Sequence, residues 1–219
     1  MKKAFTLLEL VFVIVVIGII AAVVIPRQQD NNLEEAAIQV ISHIRYTQHL
    51  AMVDDRYGQT FGANNNWFMS RWQIQFHNDN NGNNDEVYSI YSDVDLDAGA
   101  SADANANELA IDPVSGREMT GNINLNRVPN MNLTDTYGIE TVILNGAGCP
   151  GGQRIFFDHL GRPHINNTLH QDVMTDQCVI SLCSVTNCAL AAADEIVNIA
   201  IEEETGYACI WDMNTGQCI

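Results

Sequence analysis

The hydrophobic pattern begins with an apolar segment that gives way to an amphipathic one. Residues 10–25 are sixteen residues without a charge or a strongly polar side chain, and together with residues 5–8 they are long enough to span a bilayer as a helix. Beyond Pro26, apolar residues recur at steps of three and four, which is typical of a helix with one buried face. The residues of this stripe are Leu33, Ala36, Ala37, Val40, Ile41, Ile44, Gln48, Ala51 and Met52.

The pattern therefore predicts a long helix over residues 5–54, with residues 5–25 inserted in a membrane and the remainder packed on a body. After residue 55, short β-like runs appear between clusters of Gly, Asn and Asp, which favours a mostly antiparallel sheet over residues 55–219 and an α+β fold class. Residues 93–107, rich in Asp, Ala, Asn and Gly, are predicted to form a solvated loop. The predicted strands are 72–76, 87–91, 141–145, 154–157, 178–182, 195–201 and 208–211.

The charges are distributed unevenly along the chain. Ten Lys and Arg residues stand against 27 Asp and Glu, for a formal net charge of −17. Lys2 and Lys3 both precede the apolar segment, so the remainder of the chain has no lysine. An acidic body without a basic stripe repels phosphate groups, and nucleic acid is therefore not an expected partner.

All six cysteines lie in the last third of the chain. An even number downstream of an export or membrane segment favours disulfides formed outside the cytoplasm, although a metal site remains the alternative. Six cysteines allow fifteen pairings. We predict three disulfides: the first closes a terminal loop, the second closes the connection between two strands, and the third joins two strands. The predicted pairs are Cys209–Cys218, Cys183–Cys188 and Cys149–Cys178.

One carboxylate, Glu9, interrupts the N-terminal apolar segment. A charge within a spanning helix costs about 2.5–3.5 kcal/mol on insertion scales and is usually functional. A plain membrane anchor fits the length of the segment but leaves this glutamate unexplained. "KKA" followed by "FTLLELV" resembles the prepilin signal of type IV pilins and type II secretion pseudopilins, and Pro26 stands where pilins commonly carry a proline.

This resemblance implies a processing site and an assembly residue. In the family a prepilin peptidase removes the basic leader before a phenylalanine, and the new amino terminus is methylated. Applied to this chain, the leader is residues 1–4, cleavage falls between Ala4 and Phe5, and Phe5 is the N-methylated residue. Ala4 stands where the family usually has glycine. Glu9 becomes the residue that pairs with the Phe5 amine of a neighbouring subunit in the apolar filament core.

The resemblance also implies a location and a set of partners. The expected partners are other pilin-like subunits, a prepilin peptidase, an inner-membrane assembly platform and the membrane itself. Lys2 and Lys3 agree with the positive-inside rule, which puts the C-terminal body in the periplasm or on an extracellular filament. "FFDHLGRP" and "EETGYA" resemble parts of H-type minor pseudopilins. Without that resemblance, Gly161 and Pro163 belong to a turn between strands.

Two clusters invite a metal-binding interpretation. Asp79, Asn81, Asp85 and Glu86 surround Gly82 as calcium ligands do, but the spacing does not fit an EF-hand, and a hairpin loop is the preferred interpretation. His159, His164 and His170 have no defined ligand spacing, so we expect solvated histidines. We therefore predict no cofactor, with calcium as the one alternative.

The sequence contains no G-x-S-x-G, H-E-x-x-H or glycine-rich phosphate loop, and we expect a protein that is not an enzyme. The expected function is that of a minor pseudopilin in a type II secretion filament. The alternatives are a minor pilin acting in adhesion or DNA uptake, and a membrane-tethered enzyme. The scarcity of arginine in the C-terminal third argues against DNA uptake.

Overall fold

The structure, a computed structural model, describes residues 7–24, 32–54, 57–59, 67–79, 83–94, 107–166 and 169–219. The chain divides into two compact units, Met1–Asn32 and Leu33–Ile219. Together they contain three α-helices and two antiparallel sheets in the described part, which confirms the predicted α+β class.

The N-terminal unit contains helix α1, Leu7–Val24. Glu9 is its only charged residue and lies in the first turn. The side chains from residue 7 to residue 20 are exposed, so apolar surface surrounds the helix. Among the described residues, no helix has the length and apolar character needed to cross a membrane. Residues 25–31, with Pro26, lie outside the described residues, so the predicted helix over residues 5–54 is described only in its two parts, Leu7–Val24 and Asn32–Val53.

Helix α2, Asn32–Val53, packs one face into the core of the second unit. Its predicted stripe is largely correct, because most of it is buried. The exceptions are Leu33 and Gln48, which are half-buried, and Met52, which is exposed; Thr47 is buried in addition. The buried stripe residues are Ala36, Ala37, Val40, Ile41, Ile44 and Ala51.

Two antiparallel sheets complete the body. The first has the order β2-β1-β4-β5 and the second the order β3-β6-β7-β8-β9. All seven predicted strands are present, and β5 and β9 are two-residue additions. The strands are β1 Trp72–Asp79, β2 Asp85–Ser92, β3 Thr141–Asn145, β4 Arg154–Phe157, β5 Pro163–His164, β6 Cys178–Cys183, β7 Ile196–Ile201, β8 Ala208–Asp212 and β9 Gln217–Cys218.

One hydrophobic core joins α2 to both sheets. It includes Ile44 of the helix, Ile74 of the first sheet and Ile180 of the second, each fully buried. Polar contacts reinforce this packing, since the Arg45 guanidinium donates to the carbonyl oxygen of Ala208 at 3.0 Å. Helix α2 is therefore the element to which both sheets are attached.

The short helix α3, Leu133–Tyr137, lies between the sheets in the sequence and bonds to an edge strand of the first. Asn132 caps its first turn by accepting from the Asp135 backbone N–H, and Gly138 ends it in the left-handed conformation. Thr134 accepts a hydrogen bond from the backbone N–H of Glu86 at 2.8 Å. The loop predicted at residues 93–107 lies mostly outside the described residues.

Candidate functional site

The residues predicted to act in processing and assembly lie at the N-terminus. Ala4 and Phe5 are outside the described residues. Glu9 lies in the first turn of α1, where the exposed N–H groups and the helix dipole favour a negative charge. Leu8 and Leu10 on either side of it are 81% and 57% exposed. The described part of α1 is therefore an apolar surface with one acidic group near its amino end.

All six cysteines are paired, in the three pairs predicted from the sequence. Cys149–Cys178 ties the segment after β3 to the start of β6. Cys183–Cys188 closes the turn that follows β6, and Cys209–Cys218 joins β8 to β9. Because all three involve the second sheet, they stabilise that sheet in an oxidising compartment.

The carboxylates considered for calcium bind groups of the protein instead. Asp79 accepts from the Ile123 backbone N–H at 3.1 Å, and Asp85 accepts from the Asn132 amide at 2.9 Å. Asn81 lies outside the described residues. Among those that are described, no group of three His, Cys, Asp or Glu side chains is arranged to hold a metal ion.

Glu86 connects the two sheets, a role that the sequence did not indicate. Its carboxylate accepts from the Asn78 amide at 3.1 Å and from the backbone N–H of Val142 in β3. Burial raises the pKa of Glu86 to about 7, although both hydrogen bonds favour the ionised form. Its contacts therefore join the edge strand of one sheet to the edge strand of the other.

Gln48 of α2 brings together two turns, one in "FFDHLGRP" and one in "EETGYA". Its amide nitrogen donates to the carbonyl oxygens of Gly161, at 2.6 Å, and Thr205, at 2.8 Å. Gly161 and Gly206 have φ angles of 77° and 67°, which strongly favour glycine. A Cβ at Gly206 would lie 3.0 Å from both the Gln48 amide and the Gly161 oxygen. The two turns thus pack on one another and on the helix.

A buried carboxylate, Asp158, holds the first of these turns. It is 3% exposed and accepts from the backbone N–H groups of Leu160 and Arg162, from the Arg162 side chain at 2.9 Å and from His164 at 3.1 Å. Burial would raise the pKa of Asp158, yet the hydrogen bonds from His164, Arg162 and Leu160 hold it well below its usual range. The turn is therefore organised around a permanent negative charge.

The prediction of three solvated histidines is wrong for His164, which is fully buried. It lies in β5, where burial lowers its pKa despite the hydrogen bond to Asp158. The short spacing between His164 and an acidic residue in "DHLGRPH" could have indicated this contact. A two-residue strand, however, leaves no periodicity to show that the side chain points inward.

Arg71 is a second buried charge close to this turn. It is 2% exposed and donates to the carbonyl oxygens of Asn166, Leu169 and His170. A cavity of about 10 Å³ beside it has room for one water molecule. These contacts order the chain after β5, and the cavity is too small for a substrate.

His43 on α2 is a half-buried group whose surroundings predict a pH dependence of stability. It bonds to the Tyr88 hydroxyl at 2.8 Å and to the Gln39 amide at 2.8 Å. Burial lowers the pKa of His43 from 6.5 to about 4. Since the unfolded chain takes up this proton near pH 6.5 and the folded chain only near pH 4, we expect the contribution of His43 to the free energy of unfolding to fall as pH decreases through that window. The raised pKa of Glu86 acts in the opposite direction between about pH 7 and pH 4.5, so the His43 contribution is read from the difference between variant and wild type.

Denaturant unfolding between pH 7 and pH 4 tests this expectation. His43→Gln keeps a neutral hydrogen-bonding side chain and should flatten the decline relative to wild type. His49→Gln, which alters an exposed histidine of the same helix, is the matched control and should follow the wild-type curve. Parallel pH profiles for His43→Gln and wild type would contradict the assignment.

In comparisons with known proteins, no family model, no curated protein and no solved structure matches this chain. Its function is therefore argued from its own residues.

Proposed function

We propose that this protein is a structural subunit of a type IV pilin-like filament, and specifically a minor pseudopilin of a type II secretion system. The observation that carries the proposal is the N-terminal sequence "KKAFTLLELV", in which Glu9, in the first turn of the apolar helix α1, follows Phe5 by four positions in the sequence. The subunit acts by assembly and carries out no reaction.

The surface of α1 supports an assembly role. Its exposed side chains include Phe12, Ile14 and Ile17, at 69%, 58% and 58%. Exposed apolar area of this extent favours burial in lipid or against other apolar helices. In the proposed cycle the subunit first waits in the inner membrane. It is then extracted by the assembly platform, and its apolar segment joins those of its neighbours in the filament core.

Glu9 gives that assembly a specific register. A carboxylate in an apolar core is costly unless it meets a cation and hydrogen-bond donors. After leader removal the Phe5 amine of an adjacent subunit supplies such a cation. A subunit entering the filament out of register leaves both charges unpaired, and the pairing therefore selects one position.

The disulfides of the body are consistent with a location outside the cytoplasm. Its three disulfides are bonds that persist in oxidising compartments such as the periplasm. Helix α2 is fixed to both sheets through Arg45, His43 and Gln48. In the proposed filament, these contacts hold α2 and the sheet body together as one unit.

The proposal is tested by deleting the gene in its native host. We expect proteins exported by the type II pathway to remain in the periplasm, while surface pili and twitching motility are unchanged, and we expect the intact gene to restore export. Normal export together with a loss of pili would contradict the secretion assignment. Both proteins and pili can be measured from the same culture by immunoblotting of periplasmic, medium and sheared-filament fractions.

A further inference from the structure

The C-terminal part of the chain is acidic and has no lysine or arginine of its own, although the Arg45 side chain of α2 contacts it at Ala208. Residues 163–219 contain eight Asp and Glu residues and no Lys or Arg. Four of the five strands of the second sheet, β6 to β9, come from this segment. The negative potential of this sheet is therefore not neutralised by neighbouring lysine or arginine side chains of the same segment.

A groove of about 630 Å³ lies on this sheet. The side chains of Ile180, Leu182 and Ile199 point to the core and are fully buried. Because side chains alternate along a strand, Ser181 and Asn198 point to the other face, where they line the groove. They are cross-strand partners, and the Ser181 hydroxyl donates to the Asn198 amide oxygen at 2.7 Å.

Apolar side chains line much of the rest of the groove. Ile143 and Ile196 contribute from β3 and β7, and Trp211 contributes from β8; all three are half-buried. Met213 and Ile219, at the C-terminal hairpin, are 65% and 80% exposed. The volume lies within the range of about 300–1,000 Å³ that is usual for ligand pockets. An apolar side chain from a partner would lose its contact with water here.

The charged groups at the groove are all acidic. Asp212 lines it, and its carboxylate is held by hydrogen bonds from the Asn214 backbone N–H and the Thr215 hydroxyl. The adjacent carboxylates Asp194 and Glu195 lie in the segment that contributes Ala193 and Ile196 to the lining. No Lys, Arg or His is among the described residues that line the groove.

We propose that this groove binds a segment of another protein that carries apolar side chains flanked by Lys or Arg. The apolar walls select the first feature, and the unneutralised carboxylates select the second. A second copy of this chain is disfavoured as the occupant, because its own body is acidic and would be repelled. The site goes beyond filament assembly and does not depend on Glu9.

The test uses the full-length protein in nanodiscs of phosphatidylcholine, with empty nanodiscs as the blank. Three fluorescently labelled heptapeptides serve as probes in anisotropy titrations. They are Gly-Arg-Leu-Arg-Leu-Arg-Gly, its counterpart with Glu in place of Arg, and its counterpart with Ser in place of Leu. We expect the first to bind at least about tenfold more tightly than either counterpart, because only it has both features.

Variants locate the binding. Trp211→Ala should weaken binding of the Arg-Leu peptide about tenfold or more, as aromatic anchors at interfaces commonly do. Asp194→Asn, at an exposed position, should weaken it severalfold at low salt and have little effect at high salt. Val114→Ala, which alters a side chain that is 93% exposed and does not line the groove, is the control and should bind as wild type does.

Several outcomes would overturn the proposal. They are equal binding of the three peptides, binding of none of them, and unchanged affinity in both Trp211→Ala and Asp194→Asn. Self-association of the protein that Trp211→Ala abolishes would assign the groove to a second copy instead. Normal filament incorporation with no peptide binding would refute this inference alone, whereas peptide binding without incorporation would refute only the filament assignment.

Discussion

Glu9→Leu is expected to enter the membrane and lose its leader but to be nearly absent from filaments. Leucine lengthens the apolar segment, so insertion should improve if it changes at all. In the filament, however, the neighbouring Phe5 amine would be left unpaired in an apolar environment, and breaking a buried ion pair costs about 3–5 kcal/mol. Membrane fractionation, mass analysis of the amino terminus and immunoblotting of sheared filaments measure the three steps separately.

Two further variants separate the effect of the Glu9 charge from that of any change in the apolar helix. Glu9→Asp keeps the charge on a shorter side chain and should give intermediate incorporation, because a buried pair depends strongly on geometry. Ile14→Leu changes an exposed apolar residue of the same helix and should be incorporated as wild type is. Unimpaired incorporation of Glu9→Leu would refute the pairing role of Glu9. It would favour the alternative that α1 is a plain membrane anchor.

Asp158→Ala is expected to destabilise the body by about 3–5 kcal/mol, because it removes the acceptor of several hydrogen bonds at once and each buried donor left without a partner costs about 1–3 kcal/mol. The substitution would leave His164 and the backbone N–H groups of Leu160 and Arg162 without their acceptor. For a unit of this size, the corresponding fall in Tm is roughly 6–20 °C. Thermal unfolding followed by circular dichroism, with disulfides intact, measures the effect.

The controls for Asp158 separate its charge from its shape. Asp158→Asn retains an acceptor oxygen and should be less destabilising than Asp158→Ala. Glu203→Gln removes an exposed carboxylate from the second sheet's connecting turn and should leave Tm within about 1 °C, as surface substitutions usually do. A wild-type Tm for Asp158→Ala would show that the turn does not depend on this carboxylate.

Sequence periodicity predicted the large elements of the fold correctly. Strands such as 141–145 and 178–182 alternate or cluster apolar residues between turn residues, and each is present in the structure. The apolar stripe of α2 was visible for the same reason. The elements that were missed, α3, β5 and β9, are one turn or two residues long and hold too few residues to show a period.

The buried polar contacts were harder to predict, because they join residues far apart in the sequence. Gln48 lies in an apolar stripe and gave no sign that it would bond to turns at Gly161 and Thr205, more than a hundred residues away. Glu86 was assigned to a hairpin loop, yet it lies in β2 and accepts hydrogen bonds from Asn78 and from Val142 of the edge strand β3. Composition shows which residues are polar, while only the packed sheets show which are buried.

The cysteines fall between these two cases. Their number and position predicted oxidation, and the pairs follow from which strands lie side by side. Cys183–Cys188 and Cys209–Cys218 are close in sequence, so their pairing was the simplest one available. Cys149–Cys178 spans 29 residues and depends on the docking of β3 against β6, a feature of the sheet topology.

The most direct test of the central claim is the mass of the amino terminus of the wild-type protein, expressed with and without an active prepilin peptidase. We expect the peptidase to remove residues 1–4 and leave a chain that begins with N-methylated Phe5, and we expect Met1 to be retained when the peptidase is absent. An established prepilin expressed in the same cells shows that the enzyme is working. An intact leader on this protein under those conditions would contradict the pilin-like assignment, and Ala4→Gly would then show whether the residue before the cut is the cause.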